Sequence, residues 1–509
     1  MLEGNSLSGP LSLSLTPNSN VSFIDISDNK LQGNIPPCLS GMKDLGFLDL
    51  SNNQLSGRVP EGLIMKSSLS LLGLSNNNLS GNVVPSILKA NGLGELYLDG
   101  NKFSGEMTNI DVSIFEFPTS LREIDLSNNK LYGKLPRWIG NLSDLWTLAL
   151  SNNSFEDCGP LSHAFYNSSS LVTLDLRGNS LTGSIPKWIG KLSSLSVLLL
   201  KANHLQGRIP VQLRKLYSLN IIDLSQNMFS GPIPSCLENL TLPMQDNKIL
   251  RPDYFELFSE EVEPAIFRLI KLRSTVDYDY PSSYMEEWIE LTTKSGSYSY
   301  GGYILENMTE IDLSCNKLTG PIPPELGNMS QIHALKLNLS HNKLMRVIPS
   351  SFSKLKQIES LDLSYNNLSG EIPNQLVELN YLEVFSVAHN NLSGNIPEKA
   401  QFESFVESSY EGNPFLYGPM LHKSCFKTDS PSTLSAVPDD EEDSLLDMYV
   451  FRVSFLVSYA VMLLTVFVVL YINPYWRRAW LSFVEKRITI YRYSTVGNFL
   501  AYYIFRGYL

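Results

Sequence analysis

An asparagine that follows a Leu-x-Leu returns along most of this 509-residue chain, at Asn29, Asn53, Asn77, Asn101, Asn129, Asn153, Asn179, Asn203 and Asn227. Most of these are 24 residues apart; after a gap of 89 the series resumes at Asn316, Asn342, Asn366 and Asn390, and Asn5 ends one further repeat. A unit this short cannot bury an apolar face alone, so the copies must stack into a solenoid with one continuous core. The unit reads L-x-x-L-x-L-S-x-N-x-L-x-G-x-I-P, as in Leu121 through Pro136. Ile124 and Leu126 alternate with polar residues, which predicts a short strand with one buried face. The Asn is expected to turn its amide inward onto backbone groups left open by the bend. The Gly permits a tight approach, and the Pro ends the ladder.

The segments Leu31–Pro36, Leu181–Pro186 and Leu318–Pro323 carry the L-x-G-x-I-P text, which resembles the plant-specific class of leucine-rich repeats. The fold class expected is therefore a leucine-rich-repeat solenoid. Its short parallel strands line the concave face, and 3-10 turns and loops make the convex side. The resemblance adds a second short strand beside the concave one and a superhelical twist. Between Asn316 and Asn342 the unit is two residues longer. An even insertion keeps the pleat phase, so a bulge is expected there with the core intact.

The remaining sequence divides around the repeats. Residues 1–240 are repeats, 241–306 a Tyr-rich island, 307–400 four final repeats, and 401–448 a cap remnant with an acidic stretch at Asp439–Asp443. A segment as long as the island inside a repeat array is expected to be folded and functional. Val453 to Ile472 carries no charge, and residues 449–472 are predicted to form one transmembrane helix. The tail, 473–509, holds six basic groups and one acid, against 33 basic and 50 acidic groups before it. The positive-inside rule then puts the tail in the cytoplasm and the repeats outside, a single-pass type I topology at the plasma membrane. Ser454 and Ser458 form a small-xxx-small pattern suited to helix–helix contact.

Sequons at Asn20, Asn78, Asn141, Asn152, Asn167, Asn239, Asn307, Asn328, Asn338, Asn367 and Asn391 are expected glycosylation positions, although Asn78, Asn367 and Asn391 arise from the repeat text itself. None follows the span. The five cysteines are an odd number, and Cys38 and Cys236 stand eight repeats apart, beyond disulfide reach. The chain opens in mid-repeat without a signal peptide, which reads as an N-terminally truncated copy of a longer parent.

Chemistry is hard to find. The six His are scattered, and there is no H-E-x-x-H, paired C-x-x-C, phosphate loop or kinase text. A net charge of −12 argues against nucleic-acid binding. No enzyme, cofactor or metal is expected. The recurrent Asp25, Asp49, Asp125, Asp175, Asp223, Asp312 and Asp362 read as a byproduct of the repeat.

The whole layout resembles the plant leucine-rich-repeat receptor-like proteins, kinase-lacking cell-surface receptors. The text Tyr303-Ile304-Leu305, Asn338-Leu339-Ser340-His341-Asn342 and Asn473-Pro474-Tyr475-Trp476-Arg477 agrees with theirs. That resemblance implies perception of an extracellular peptide, glycan or microbial-protein ligand in defence or development. It implies pairing with an adaptor receptor kinase and recruitment of a somatic-embryogenesis-type coreceptor kinase, for which the final four repeats are the suggested place. The family's cap reads G-N-P-x-L-C-G, whereas here Tyr417 stands where the first cap Cys belongs and Cys425 loses its partner. The candidate ligand contacts are the outward concave positions Phe47, Glu95, Tyr97, Trp146, Val197, Leu199 and Lys201, with Tyr298 and Tyr300 of the island. The competing readings are a truncated non-signalling decoy, an inhibitor-type repeat protein and, more remotely, a membrane-anchored hydrolase.

Overall fold

The computed structural model describes residues 2–11, 21–107, 120–135, 137–157, 161, 165–239, 288–293, 296–301, 308–329, 334–397 and 400–421. Within them the repeat turns its apolar alternation into strands of three to five residues, such as Phe23–Asp25, Phe47–Asp49, Leu71–Gly73 and Glu95–Tyr97. Thirteen such strands form one parallel sheet in chain order, ending at Val384–Ser386. The L-x-G text makes a second parallel sheet of fifteen strands alongside, from Ser8–Pro10 to Phe415–Tyr417. The convex side is built of 3-10 turns such as Lys187–Lys191 and Val211–Lys215, with two short α-helical turns at Glu61–Ile64 and Val84–Ile87. Fully buried leucines, among them Leu48, Leu72, Leu96 and Leu126, run between these layers as one core. The solenoid class, its parallel concave strands and its convex turns are as expected.

What joins one repeat to the next is an asparagine ladder. Asn53 Nδ2 donates to the carbonyls of Leu50, Ser51 and Ile26 at 3.0–3.1 Å, while its Oδ1 accepts the Leu31 N–H at 2.9 Å. One side chain thus satisfies four backbone groups in two adjacent repeats, groups that burial would otherwise leave unpaired. The same set recurs at Asn203, Asn316 and Asn390. It extends one step further than the Leu-x-Leu series, to Asn413, whose Oδ1 accepts from Leu392 N and whose Nδ2 donates to Val387 and Tyr410 carbonyls.

The recurrent aspartates also have a structural use. Asp49, Asp125, Asp223 and Asp312 each accept the N–H of the residue two positions on, at 2.8–3.0 Å, which fixes the turn out of the strand. Asn338 does the same for Ser340 where Asp is missing. The residue before each ladder asparagine is left-handed, with φ of 52–55° at the non-glycine positions from Asp28 to His389.

The island interrupts the sequence and leaves the sheets continuous. Asp223 pairs directly with Asp312, and Ile221 with Glu310, so the repeats on either side stack as neighbours. Of the island itself, Trp288–Thr293 and Gly296–Gly301 form an antiparallel hairpin in which Tyr298 opposes Leu291 and Tyr300 opposes Ile289. The expected bulge is present. Leu335 pairs with Ile358 and Lys336 with Ser360, leaving Glu359 extra on the partner strand, while Leu335, Leu337 and Leu339 stay buried.

The end of the repeat array is closed by aromatic packing. Phe385, Phe402, Phe405 and Tyr410 form one buried cluster with ring centroids 5.0–6.0 Å apart, and the Tyr410 hydroxyl donates to the Phe402 carbonyl at 3.4 Å. Cys425 lies outside the described residues, as do the predicted span, Ser454 and Ser458. Among the described residues no helix is long and apolar enough to cross a membrane.

Candidate functional site: a carboxylate–aromatic cluster on the concave face

Outward positions of the concave strands form a long, regular array whose residues the repeat text leaves free to vary. Three of the residues predicted from sequence, Glu95, Tyr97 and Trp146, come together there. Glu95 and Tyr97 share one strand; the next, Glu123–Asp125, sets Glu123 beside Glu95 and Asp125 beside Tyr97. Trp146 stands just before the strand Thr147–Ala149 that follows.

The residue that binds them into a cluster is Glu123, which was not among the predicted contacts. Its Oε2 accepts from the Tyr97 hydroxyl at 2.6 Å, and its Oε1 accepts from Trp146 Nε1–H at 2.8 Å. The Tyr97 hydroxyl also lies 3.2 Å from Glu95 Oε2. Glu95 and Glu123 are each 4% exposed, whereas Tyr97 and Trp146 keep part of their rings at the surface. Burial, followed by the two glutamates, raises the Tyr97 hydroxyl far above its ordinary range, so it remains a donor. Asp99 and Asp125 add two more carboxylates, and the Ser75 hydroxyl donates to Asp99. Burial comes first and Asp99 second in raising Asp125. The signal for Glu123 was present, since it occupies the register of Glu95 one repeat later.

The other predicted contacts are placed differently. Phe47 is half-buried and stacks on Phe23, with centroids 4.1 Å apart and planes 11° from parallel. Val197 and Leu199 are buried and offer no surface. Val197 pairs with Ile221 on the following strand, whereas Leu199 lies between Asp175 and Asp223, and none of the three apolar residues belongs to the main core. An outward register therefore did not mean exposure. Lys201 is half-buried beside them; burial raises the nearby Asp223, and Lys201 only partly opposes that rise. On the same face Glu310 is 3% exposed, its Oε2 lacks a hydrogen-bond partner, and burial with Asp223 and Asp312 pushes it up to about 8. Tyr298 and Tyr300 lie on the island hairpin, outside this cluster's strands.

Among the sequons, Asn78, Asn141, Asn152, Asn167, Asn328, Asn367 and Asn391 are exposed. Asn338 is half-buried, and its Nδ2 donates toward Asp312. Asn20 and Asn307 lie outside the described residues, as does the side chain of Asn239. Among the described residues no group of three His, Cys, Asp or Glu is placed to hold a metal.

These features define a leucine-rich-repeat solenoid. The family description "Leucine rich repeat" matches residues 91–155 and 332–392, and "Leucine Rich Repeat" matches 20–42, 44–64, 170–192, 218–240 and 307–329. In sequence the chain is similar to plant receptor-like proteins. It is 48% identical over 215 residues to Cuscuta receptor 1 of Solanum lycopersicum, covering 42% of this chain and 19% of that protein. It is 39% identical over 252 residues to Receptor-like protein 13 of Arabidopsis thaliana, covering 49% and 23%. The matched region thus spans about a fifth to a quarter of these relatives' length.

Solved structures of similar fold include a TDR receptor, with a TM-score of 0.56 and 27% identity over 80% of this chain and 62% of that one. Another is the Arabidopsis receptor kinase HAESA in complex with the peptide hormone IDA and the co-receptor SERK1. Its TM-score is 0.53 and its identity 26%, over 81% of this chain and 64% of that one.

Proposed function

We propose that this chain acts as a single-pass cell-surface receptor-like protein. It binds an extracellular ligand on the concave face and signals by pairing with receptor kinases. The observation that carries the reading is the Glu95–Tyr97–Glu123–Trp146 cluster. It offers the partly exposed Tyr97 and Trp146, both fixed in orientation by the buried Glu123 carboxylate. Rigid aromatic rings beside oriented polar groups supply contact area and specificity at low entropy cost. Peptide hormones bound by solenoids of similar fold, and relatives named as receptors, support a ligand of peptide type.

The uncharged run Val453–Ile472 and the basic tail support the anchor and the orientation, with the repeats outside at the plasma membrane. Glycosylation at the exposed sequons Asn141, Asn152, Asn167 and Asn328, which owe nothing to the repeat text, belongs to the same reading. Output through an adaptor receptor kinase and a somatic-embryogenesis-type coreceptor kinase, in defence or development, belongs to the same reading, and the solved complex of a similar solenoid with a co-receptor supports it.

The experiment is co-purification from plant cells of the full chain and of a version with residues 449–472 replaced by an unrelated span. A receptor kinase retained by the first and lost from the second supports the reading. Equal recovery with both, or with neither, contradicts it.

A further inference from the structure

On the face beside the concave sheet, the final repeats depart twice from the repeat rule. The left-handed turn position is filled by Asp28, Asn52, Asn76, Asn128, Asn152, Ala202 and Gln226 in earlier repeats. In the last turns it holds His341, Tyr365 and His389, all exposed. Their rings stack along the solenoid, with centroids 4.2 Å apart at both steps. Among the described residues, none of the three side chains makes a hydrogen bond.

The second departure is Arg346. It has φ +76° in the register where Gly33, Gly57, Gly81, Gly320, Gly370 and Gly394 stand. A side chain is usually barred there twice, by the left-handed backbone and by the preceding repeat. A Cβ on Gly57 would meet Asn34 Oδ1 at 2.5 Å, and one on Gly394 would meet Glu371 Cγ at 2.9 Å. Where the preceding residue is proline there is room, as at Gly33 and Gly320, both 3.8 Å from a proline Cβ. Pro321 holds that place ahead of Arg346, so only the backbone cost remains. Nothing in the fold repays it, because Arg346 has no hydrogen bond or ion pair among the described residues. Strain kept at an exposed, unpaired cation points outward, to something that binds it.

The surroundings say what that is. Lys317, Lys343, Met345 and Val347 are exposed on the same strip, Val347 by 59%. Arg, Met and Tyr are the side chains enriched in protein interfaces. Cations predominate on this strip of an otherwise acidic chain, and its exposed acids are Glu371 and Glu411.

We propose that this strip docks an acidic peptide segment of a partner protein. The partner's carboxylates sit on Arg346, Lys343 and the imidazoles, and an apolar side chain lies against Met345 and Val347. His341 is flanked by Tyr365 and by Cys315 of the preceding turn, His389 by Tyr365 and by Gly412 of the following one. Lys317, Lys343, Asn367 and Asn391 lie on the adjoining strands, and Glu411, whose carbonyl accepts the His389 N–H, is the neighbouring acid.

The test uses the full chain in lipid nanodiscs and a fluorescent decapeptide of alternating Glu and Leu, with a Lys/Leu decapeptide as control. Saturable binding of the acidic peptide is expected, weakening about fivefold or more when the salt concentration is raised. Arg346→Gly, which relieves the backbone and so keeps the fold, weakens it about tenfold. Absence of binding, equal binding of the basic peptide, or an unchanged Arg346→Gly variant would overturn the proposal. So would glycans found at Asn367 and Asn391 of the purified chain, since Asn367 pairs with Met345 and sugar there would cover the strip.

Discussion

The Tyr97 hydroxyl donates across the concave sheet to Glu123 at 2.6 Å, while Trp146 holds the other oxygen of the same carboxylate at 2.8 Å. One buried glutamate therefore orients two aromatic rings from the repeats on either side of it. Glu123→Ala leaves the indole without its acceptor and the phenol with only the longer contact to Glu95. An orphaned donor costs about 1–3 kcal/mol, and the change should lower the chemical-denaturation midpoint and shift Trp146 emission. Glu123→Gln keeps one acceptor, so its effect should be smaller than that of Ala.

The asparagine ladder predicts a larger cost than any surface substitution. In Asn203→Ala the carbonyls of Leu176, Leu200 and Lys201 lose their donor, and Leu181 N loses its acceptor. A loss of about 2–4 kcal/mol follows from unpaired buried backbone groups, readable by urea unfolding. Exchange of backbone amides should rise in the repeats carrying Leu181 and Leu200 before the distant ones.

Two glycines with almost the same φ should respond differently. At Gly33, φ +79°, a new Cβ would make only an ordinary 3.8 Å contact with Pro10, whereas at Gly57, φ +82°, it would sit 2.5 Å from Asn34 Oδ1. Gly33→Ala is expected to cost about 1–2 kcal/mol for the left-handed backbone alone. Gly57→Ala should cost more, and Asn34→Ala in the same chain should recover the difference. Thermal unfolding of the three variants decides it.

Phe385, Phe402, Phe405 and Tyr410 pack as an aromatic plug at the end of the described repeats. Phe402→Ala should cost about 3–5 kcal/mol, and amide exchange should show fraying that begins at the strand Val384–Ser386.

The concave acids set the pH dependence. Glu310 is pushed up to about 8 by burial and by Asp223 and Asp312. A carboxyl raised in the folded state binds its proton more tightly there than in the unfolded chain. Its contribution is complete below the unfolded value and is lost as pH rises toward 8. The chain should therefore be more stable at pH 5 than at pH 8, and Glu310→Gln should flatten that slope by up to about 1.4 kcal/mol per pH unit. Unfolding midpoints at the two pH values check both statements.

The architecture was readable in the sequence because stacking makes each repeat a copy of its neighbour. The inward asparagine, the bulge after Asn316 and the continuity of the core followed from spacing and parity. Residues that matter through their neighbours were harder. Glu123 had no distinguishing motif, and its importance depends on Tyr97 and Trp146, each contributed by a different repeat. Val197 and Leu199 were read as outward contacts, yet both are buried, Val197 beside Ile221 and Leu199 between Asp175 and Asp223. The aspartates were dismissed as repeat text, although their hydrogen bonds two residues on shape every turn they occupy. Arg346 was visible as a missing glycine, but its left-handed backbone was not.

The account stands or falls on whether the repeats reach the outside of the cell. Endoglycosidase treatment of the full chain from plant microsomes, with a protease-accessible tag on the C-terminus, tests this directly. The receptor reading predicts glycans at Asn141, Asn152, Asn167 and Asn328 and a tag cut from the cytoplasmic side. A chain without glycans, or with its tag protected in the lumen, would contradict it.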